Sequence, residues 1–98
     1  MAGGHSQRKE MDHETREFVL GCSAQIEERL GHHVHHFEPV SYTTQVVAGV
    51  NYWVLIRVAE GDHGFAHAKI FKPLPHTHQP PVVHVAYDHQ THDSPFQI

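Results

Sequence analysis

Ninety-eight residues with a formal net charge of -4 make a chain of single-domain size, with lysine and arginine too thinly scattered to follow a nucleic-acid backbone. The lone cysteine, Cys22, cannot close an internal disulfide, and no apolar run has the length of a signal peptide or a membrane span, so the composition reads as cytoplasmic, with no membrane and no nucleic-acid partner. The outlier is histidine, 13 residues, which titrates near pH ~6.5 and makes the net charge sensitive to mild acid.

Residues 1–10, MAGGHSQRKE, carry no periodicity and a Gly-Gly pair, which reads as a flexible N-terminal trunk with a short extended piece. From Asp12 onward, Phe18, Val19, Cys22, Ile26 and Leu30 recur at spacings of three and four, with charged residues between them, and this predicts one amphipathic helix. Asp12 suits its N-cap and Gly31 its left-handed stop. Cys22 falls on the apolar face and reads as core rather than as a nucleophile.

Strand composition follows at residues 33–47, 50–59, 65–72 and 82–87, with breaks at AEGDHG and KPLPHTHQPP. In the second of these, alternation puts Tyr52, Val54, Ile56 and Val58 on one face, toward the helix, and Trp53, Leu55 and Arg57 on the other. Trp53 and Leu55 are therefore expected to expose an apolar patch on the far side of the sheet. One early helix before serial antiparallel strands is an α+β fold within a single domain, 1–98.

The unusual feature is QVVAG at residues 45–49, an apolar sequence where a hairpin turn favours polar pairs such as Asn-Gly. Small apolar residues on a rigid hairpin can fill an apolar cleft, and Gly49 permits close backbone approach. A hairpin with a bulge at Gly49 and an incidentally apolar tip is the plainer reading of that stretch alone.

Gly3 and Gly4 near the N-terminus, Gln45-Val46-Val47-Ala48-Gly49 followed by Asn51-Tyr52, the segment HAKIFKPLPH ending in Leu74-Pro75-His76, and Tyr87 occur here in that order. In this set, across nearly the whole chain, the sequence resembles the stefins, the disulfide-free branch of the cystatins. The resemblance implies the cystatin fold, an antiparallel four- to five-stranded sheet wrapped around one N-terminal helix. It implies reversible, tight-binding inhibition of papain-like cysteine proteases, papain and cathepsins, with no catalytic residue and no cofactor. By the same resemblance Gly3 and Gly4 would lie along the non-primed subsites, Gln45, Val46, Val47, Ala48 and Gly49 would fill the cleft, and Leu74, Pro75 and His76 would touch the primed side. The family's strand exchange through the first hairpin leaves monomer and domain-swapped dimer both open. The chain departs from the family at its end, HDSPFQI in place of a DELTYF-like segment, and at His84, where an aliphatic residue is usual.

His32, His33, His35 and His36 form the densest histidine run, and His76 with His78 has chelating spacing, but alternation splits the run between two faces and no metal motif is complete. HETRE lacks the second histidine of H-E-x-x-H. A solvated polar face is the simplest reading, and a histidine-rich metal-binding or pH-sensing module on the same scaffold is the alternative. For acid sensitivity, His84 is the expected largest single contributor and the 32–36 run the collective one, through like-charge depression of their pKa values.

Overall fold

The computed structural model describes residues 4–98, so Gly3 lies outside the described residues. In chain order it comprises β1 (Lys9–Glu10), α1 (His13–Gly21), α2 (Ser23–Leu30), β2 (Glu38–Val47), β3 (Gly49–Arg57), β4 (Phe65–Lys72) and β5 (Val82–Gln90), with a single 3-10 turn at Pro75–Thr77. The strands form one five-stranded sheet in the order β1-β2-β3-β4-β5, antiparallel throughout. This is the α+β arrangement expected from the sequence, and the extended piece of the N-terminal arm is β1.

The helix begins where its cap predicts. Asp12 is extended and its carboxylate accepts the Thr15 N–H at 2.7 Å, and Gly31 closes the far end at φ 88. It is not one rod, however. Gly21, a poor helix former, precedes Cys22 at φ -98 and ψ 4, and the Cys22 N–H reaches back to the Val19 carbonyl at 2.9 Å, an i to i-3 bond that tightens the chain before α2 starts. The break keeps Val19, Cys22 and Ile26 all against the sheet, where they join Tyr42, Val54, Ile56, Val58, Ala66, Ala68, Ile70 and Val83 in the core. Fully burying Ile26 contributes roughly 1.5–3 kcal/mol relative to exposure. β2 starts at Glu38 rather than at 33 because the connection before it is held to α2: the Glu27 carboxylate accepts the Val34 N–H at 2.9 Å.

The inner face of β3 follows the alternation, but the outer face is not bare. Trp53 is 4% exposed and Leu55 0%. Phe96, from the C-terminal segment, stacks on Trp53 with centroids 6.0 Å apart, and Tyr87 flanks the indole at 6.3 Å. The expected exposed patch is thus a second small core, roofed by a segment with no strand or helix signal of its own.

His84 is also placed differently from expectation. The β4–β5 register passes from Lys69↔Val85 to Ile70↔Val83, so His84 is the extra residue of a bulge and is exposed. Its edge strand is closed by α2: Gln25 accepts the Val83 N–H at 3.3 Å and donates to the Pro81 carbonyl at 3.3 Å, and Arg29 donates to the Val83 carbonyl at 3.1 Å.

Candidate functional site

The β2–β3 register runs Gln45↔Asn51, Val46↔Val50, Val47↔Gly49, which leaves Ala48 alone at the tip. Val46 is 66% exposed and Ala48 is exposed, whereas Gly49 is buried at φ 127. A Cβ at Gly49 would stand 2.6 Å from the Lys72 carbonyl oxygen and 2.8 Å from the Phe71 ring, so both conformation and space require glycine. The apolar turn is therefore pressed backbone to backbone against the end of β4. The Asn51 amide donates to the Gln45 side-chain carbonyl at 3.4 Å across the hairpin.

The second loop leaves β4 beside this hairpin, because Lys72 pairs with Val50. Leu74 is 39% exposed. Its carbonyl accepts the Thr77 N–H at 3.1 Å and the Thr77 hydroxyl at 2.7 Å, and the Pro75 carbonyl accepts the His78 N–H at 3.2 Å. Proline at the first position fixes φ, so Pro75 stiffens a turn already closed by these bonds. Between the loops is a groove of about 340 Å³, lined by Ala48, Phe71, Pro73, Leu74, Gln79 and Val82 among others.

The N-terminal arm arrives at the same end. Lys9 pairs with Tyr42, the Ser6 N–H donates to the Thr44 carbonyl at 2.8 Å, and the Ser6 hydroxyl accepts the Thr44 N–H at 2.9 Å, so the chain read backward from β1 advances toward Val46 and Ala48. Gly4 is exposed, with open space where a Cβ would be. Gln45 to Gly49, Leu74, Pro75, His76 and Gly4 thus converge on one edge, and none of them is an acid or a base apart from His76.

The titratable groups offer no nucleophile there. Cys22 is in the helical core and burial raises its pKa, which keeps the thiol protonated. Asp12 is held down at about 2, chiefly by the hydrogen bond from the Tyr42 hydroxyl and then by the Thr15 N–H, and it serves the helix start. Burial raises the Tyr52 pKa, and the Asp12 hydrogen bond raises that of Tyr42.

The histidines of the 32–36 run do not converge. His32 Nε2 contacts Asp88 at 2.6 Å, His33 Nδ1 contacts Glu27 at 3.1 Å and His36 Nε2 contacts Glu60 at 3.3 Å. His76 and His78 sit in the second loop, exposed. Among the described residues, no group of three or more His, Cys, Asp or Glu is placed to hold a metal ion. Like-charge depression does not govern His32 either. Its pKa is raised, first by the hydrogen bond to the His33 carbonyl and next by Asp88.

Sequence reasoning missed His67. It is 0% exposed under the C-terminal segment, with Phe96 at 4.6 Å and Tyr87 at 5.4 Å between ring centroids. Burial, and secondarily the charge of Arg8, pushes its pKa down to about 4. A signal existed: the stretch FAHAKIF puts His67 mid-strand between apolar neighbours. Phe71, the ring against Gly49, and Phe96 carried no comparable pattern.

An early helix, a five-stranded antiparallel sheet, and an uncharged edge made of a tight apolar hairpin, a proline-stiffened loop and a glycine-bearing arm define a protein that presents a rigid surface rather than a reaction centre. Residues 3–92 match the family described as Cystatin domain. The chain is 41% identical to cystatin-A of Homo sapiens over 73 residues, 74% of this chain and 72% of that protein. It is 36% identical to cystatin-B of Macaca fuscata fuscata over 80 residues, 82% of this chain and 80% of that one. It is 32% identical to leukocyte cysteine proteinase inhibitor 1 of Sus scrofa over 80 residues, 82% and 76% of the two chains. The chain belongs to the cystatin family.

Proposed function

We propose that this cystatin inhibits papain-like cysteine proteases, papain and cathepsins among them, by seating the edge just described in the active-site cleft. It is an inhibitor of cysteine proteases and not an enzyme. The finer reading assigns the contact to Gly3 and Gly4 of the arm, to Gln45, Val46, Val47, Ala48 and Gly49 of the first hairpin, and to Leu74, Pro75 and His76 of the second loop. It takes the whole chain as one domain that acts inside the cell, with both the monomer and the dimer swapped through the first hairpin open, of which the dimer would bury the wedge.

The observation that carries this reading is the exposure of Val46 and Ala48 on a hairpin whose Gly49 is locked against Phe71 and Lys72. Cleavage requires a substrate carbonyl about 3–3.5 Å from the nucleophile in an attackable geometry. A hairpin tip fixed by strand pairing on both sides fills a cleft without offering that geometry. Val46 and Val47 supply apolar area, and the flanking strands have already lost the conformational entropy that a loose peptide would lose on binding.

Titration of papain with the purified chain tests the function. Stoichiometric, reversible loss of activity is expected, and full papain activity at micromolar concentrations of the chain would refute it.

A further inference from the structure

The C-terminal segment does more than roof the sheet, because one side chain of the N-terminal arm holds it. Arg8 donates from Nη1 to the His92 carbonyl and from Nη2 to the Ser94 carbonyl, each at 3.0 Å. Its guanidinium carbon lies 4.1 Å from the centroid of the Phe96 ring. That ring rests on Trp53 and His67, both buried in central strands. The 91–94 stretch is fixed in turn: the Thr91 N–H donates to the Ser94 hydroxyl at 2.9 Å, and the His92 ring meets Phe65 edge-on at 5.7 Å.

The arm's other holds on the sheet are few: the Ser6–Thr44 hydrogen bonds, the Met11 N–H to the Val40 carbonyl and the Lys9 ammonium 5.7 Å from the centroid of the Tyr42 ring. β1 is two residues long, and so short an edge pairing is marginal on its own. The arm projects beyond it toward the hairpin tip, where the inhibitory contact is read. From Arg8 back to Gly4 the chain spans at most about 14 Å, so fixing Arg8 limits where Gly4 can go. The acceptors are two neutral backbone carbonyls, so the guanidinium acts as a flat fork and a stacking plate, a geometry that lysine cannot reproduce.

We propose that Arg8 is a positioning residue of the inhibitor: by clasping residues 92–96 it fixes the N-terminal arm and so presents Gly4 to the protease. The inference rests on the reading of the arm as part of the inhibitory edge. An arm already held in place loses less freedom on binding, so its loosening should appear mainly as faster dissociation.

The test measures dissociation of the papain complex for R8A, R8K and F96A, each in the full chain and in a chain lacking residues 1–4, with thermal melts alongside. In the full chain, R8A and F96A should each speed dissociation by roughly three- to tenfold, with no further gain when combined, and R8K should fall between R8A and wild type. Without residues 1–4, which alone should speed dissociation, none of the three should add more. An R8A effect of the same size with and without residues 1–4 would overturn the proposal, since Arg8 would then act on the fold at large. Unchanged dissociation of full-length R8A, with removal of 1–4 still speeding release, would also overturn it while leaving the arm in the interface. If removal of 1–4 changes nothing, the arm is not a contact and the proposal fails with that reading. Should R8A not fold, R8K and F96A carry the same comparison.

Discussion

Acid should act on this protein through His67. A histidine whose folded pKa lies below its unfolded value binds fewer protons folded than unfolded, so its contribution to stability is whole above the unfolded value and is lost as pH falls through the folded one. For His67 that window runs from 6.5 down to about 4, because burial under Phe96 and Tyr87, and then the Arg8 charge, oppose protonation. At about 1.36 kcal/mol for each pH unit, the interval sets an upper limit near ~3 kcal/mol. Relaxation of the C-terminal segment and access of solvent to the protonated ring reduce this to about 2 kcal/mol. H67Q removes the titration with little change in volume. Urea unfolding of both proteins at pH 7.5, 5.5 and 4.0 should show the wild type losing about 2 kcal/mol relative to the variant across the range, about half of it already by pH 5.5. Parallel pH dependence of the two would refute the assignment of His67 as the buried acid-sensitive group.

Two substitutions address the wedge. V47D places a carboxylate beside the tip, next to the locked Gly49, and should weaken papain inhibition by about 3 kcal/mol, on the order of a hundredfold, with an unchanged melting midpoint; full inhibition by the folded variant would remove Val47 from the contact. G49A combines a φ of 127 with a Cβ 2.6 Å from the Lys72 carbonyl, so backbone strain of about 1–3 kcal/mol plus displacement of the Phe71 ring should lower unfolding free energy in urea and weaken inhibition together; a variant as stable and as inhibitory as wild type would show that the two loops are not packed as described.

What the sequence disclosed depended on whether the responsible residues were neighbours. The 3.6-residue spacing of Phe18, Val19, Cys22, Ile26 and Leu30 and the Asp12 and Gly31 signals gave the helix and its ends, because caps and periodicity are local. The break at Cys22 was not visible, since a single Gly21 is compatible with an intact helix. The face of Tyr52, Val54, Ile56 and Val58 was legible from alternation, but the fate of Trp53 and Leu55 was not. What covers the Trp53 ring is Phe96, some forty residues on, in a segment ordered by contacts with distant residues, Arg8, Phe65 and His67, and by its own Thr91–Ser94 turn. The apolar first hairpin was legible because an apolar tip is a local anomaly. Its lock, Phe71 and Lys72 against Gly49, is a contact between sequentially distant strands and emerges only from the register.

The same distinction explains the histidines. As a string, HHVHH suggests one cluster that would repel itself on protonation. In the fold, α2, β5 and the β3–β4 connection each bring a carboxylate to a different ring: Glu27 to His33, Asp88 to His32, Glu60 to His36. Glu27 itself is held below the usual carboxylate range, by the Val34 N–H first and by His33 next. A histidine with a raised pKa, as His32 has, contributes its stability fully below 6.5 and loses it as pH rises through the raised value. Between pH 7.5 and 5.5 His32 therefore favours the folded state as acid is added, while His67 opposes it from about pH 6.5 downward. The 32–36 run thus counters acid at its first residue instead of collapsing under it, and the acid weakness of the molecule lies on the opposite face of the sheet from the helix, where a single imidazole is sealed beneath the C-terminal segment.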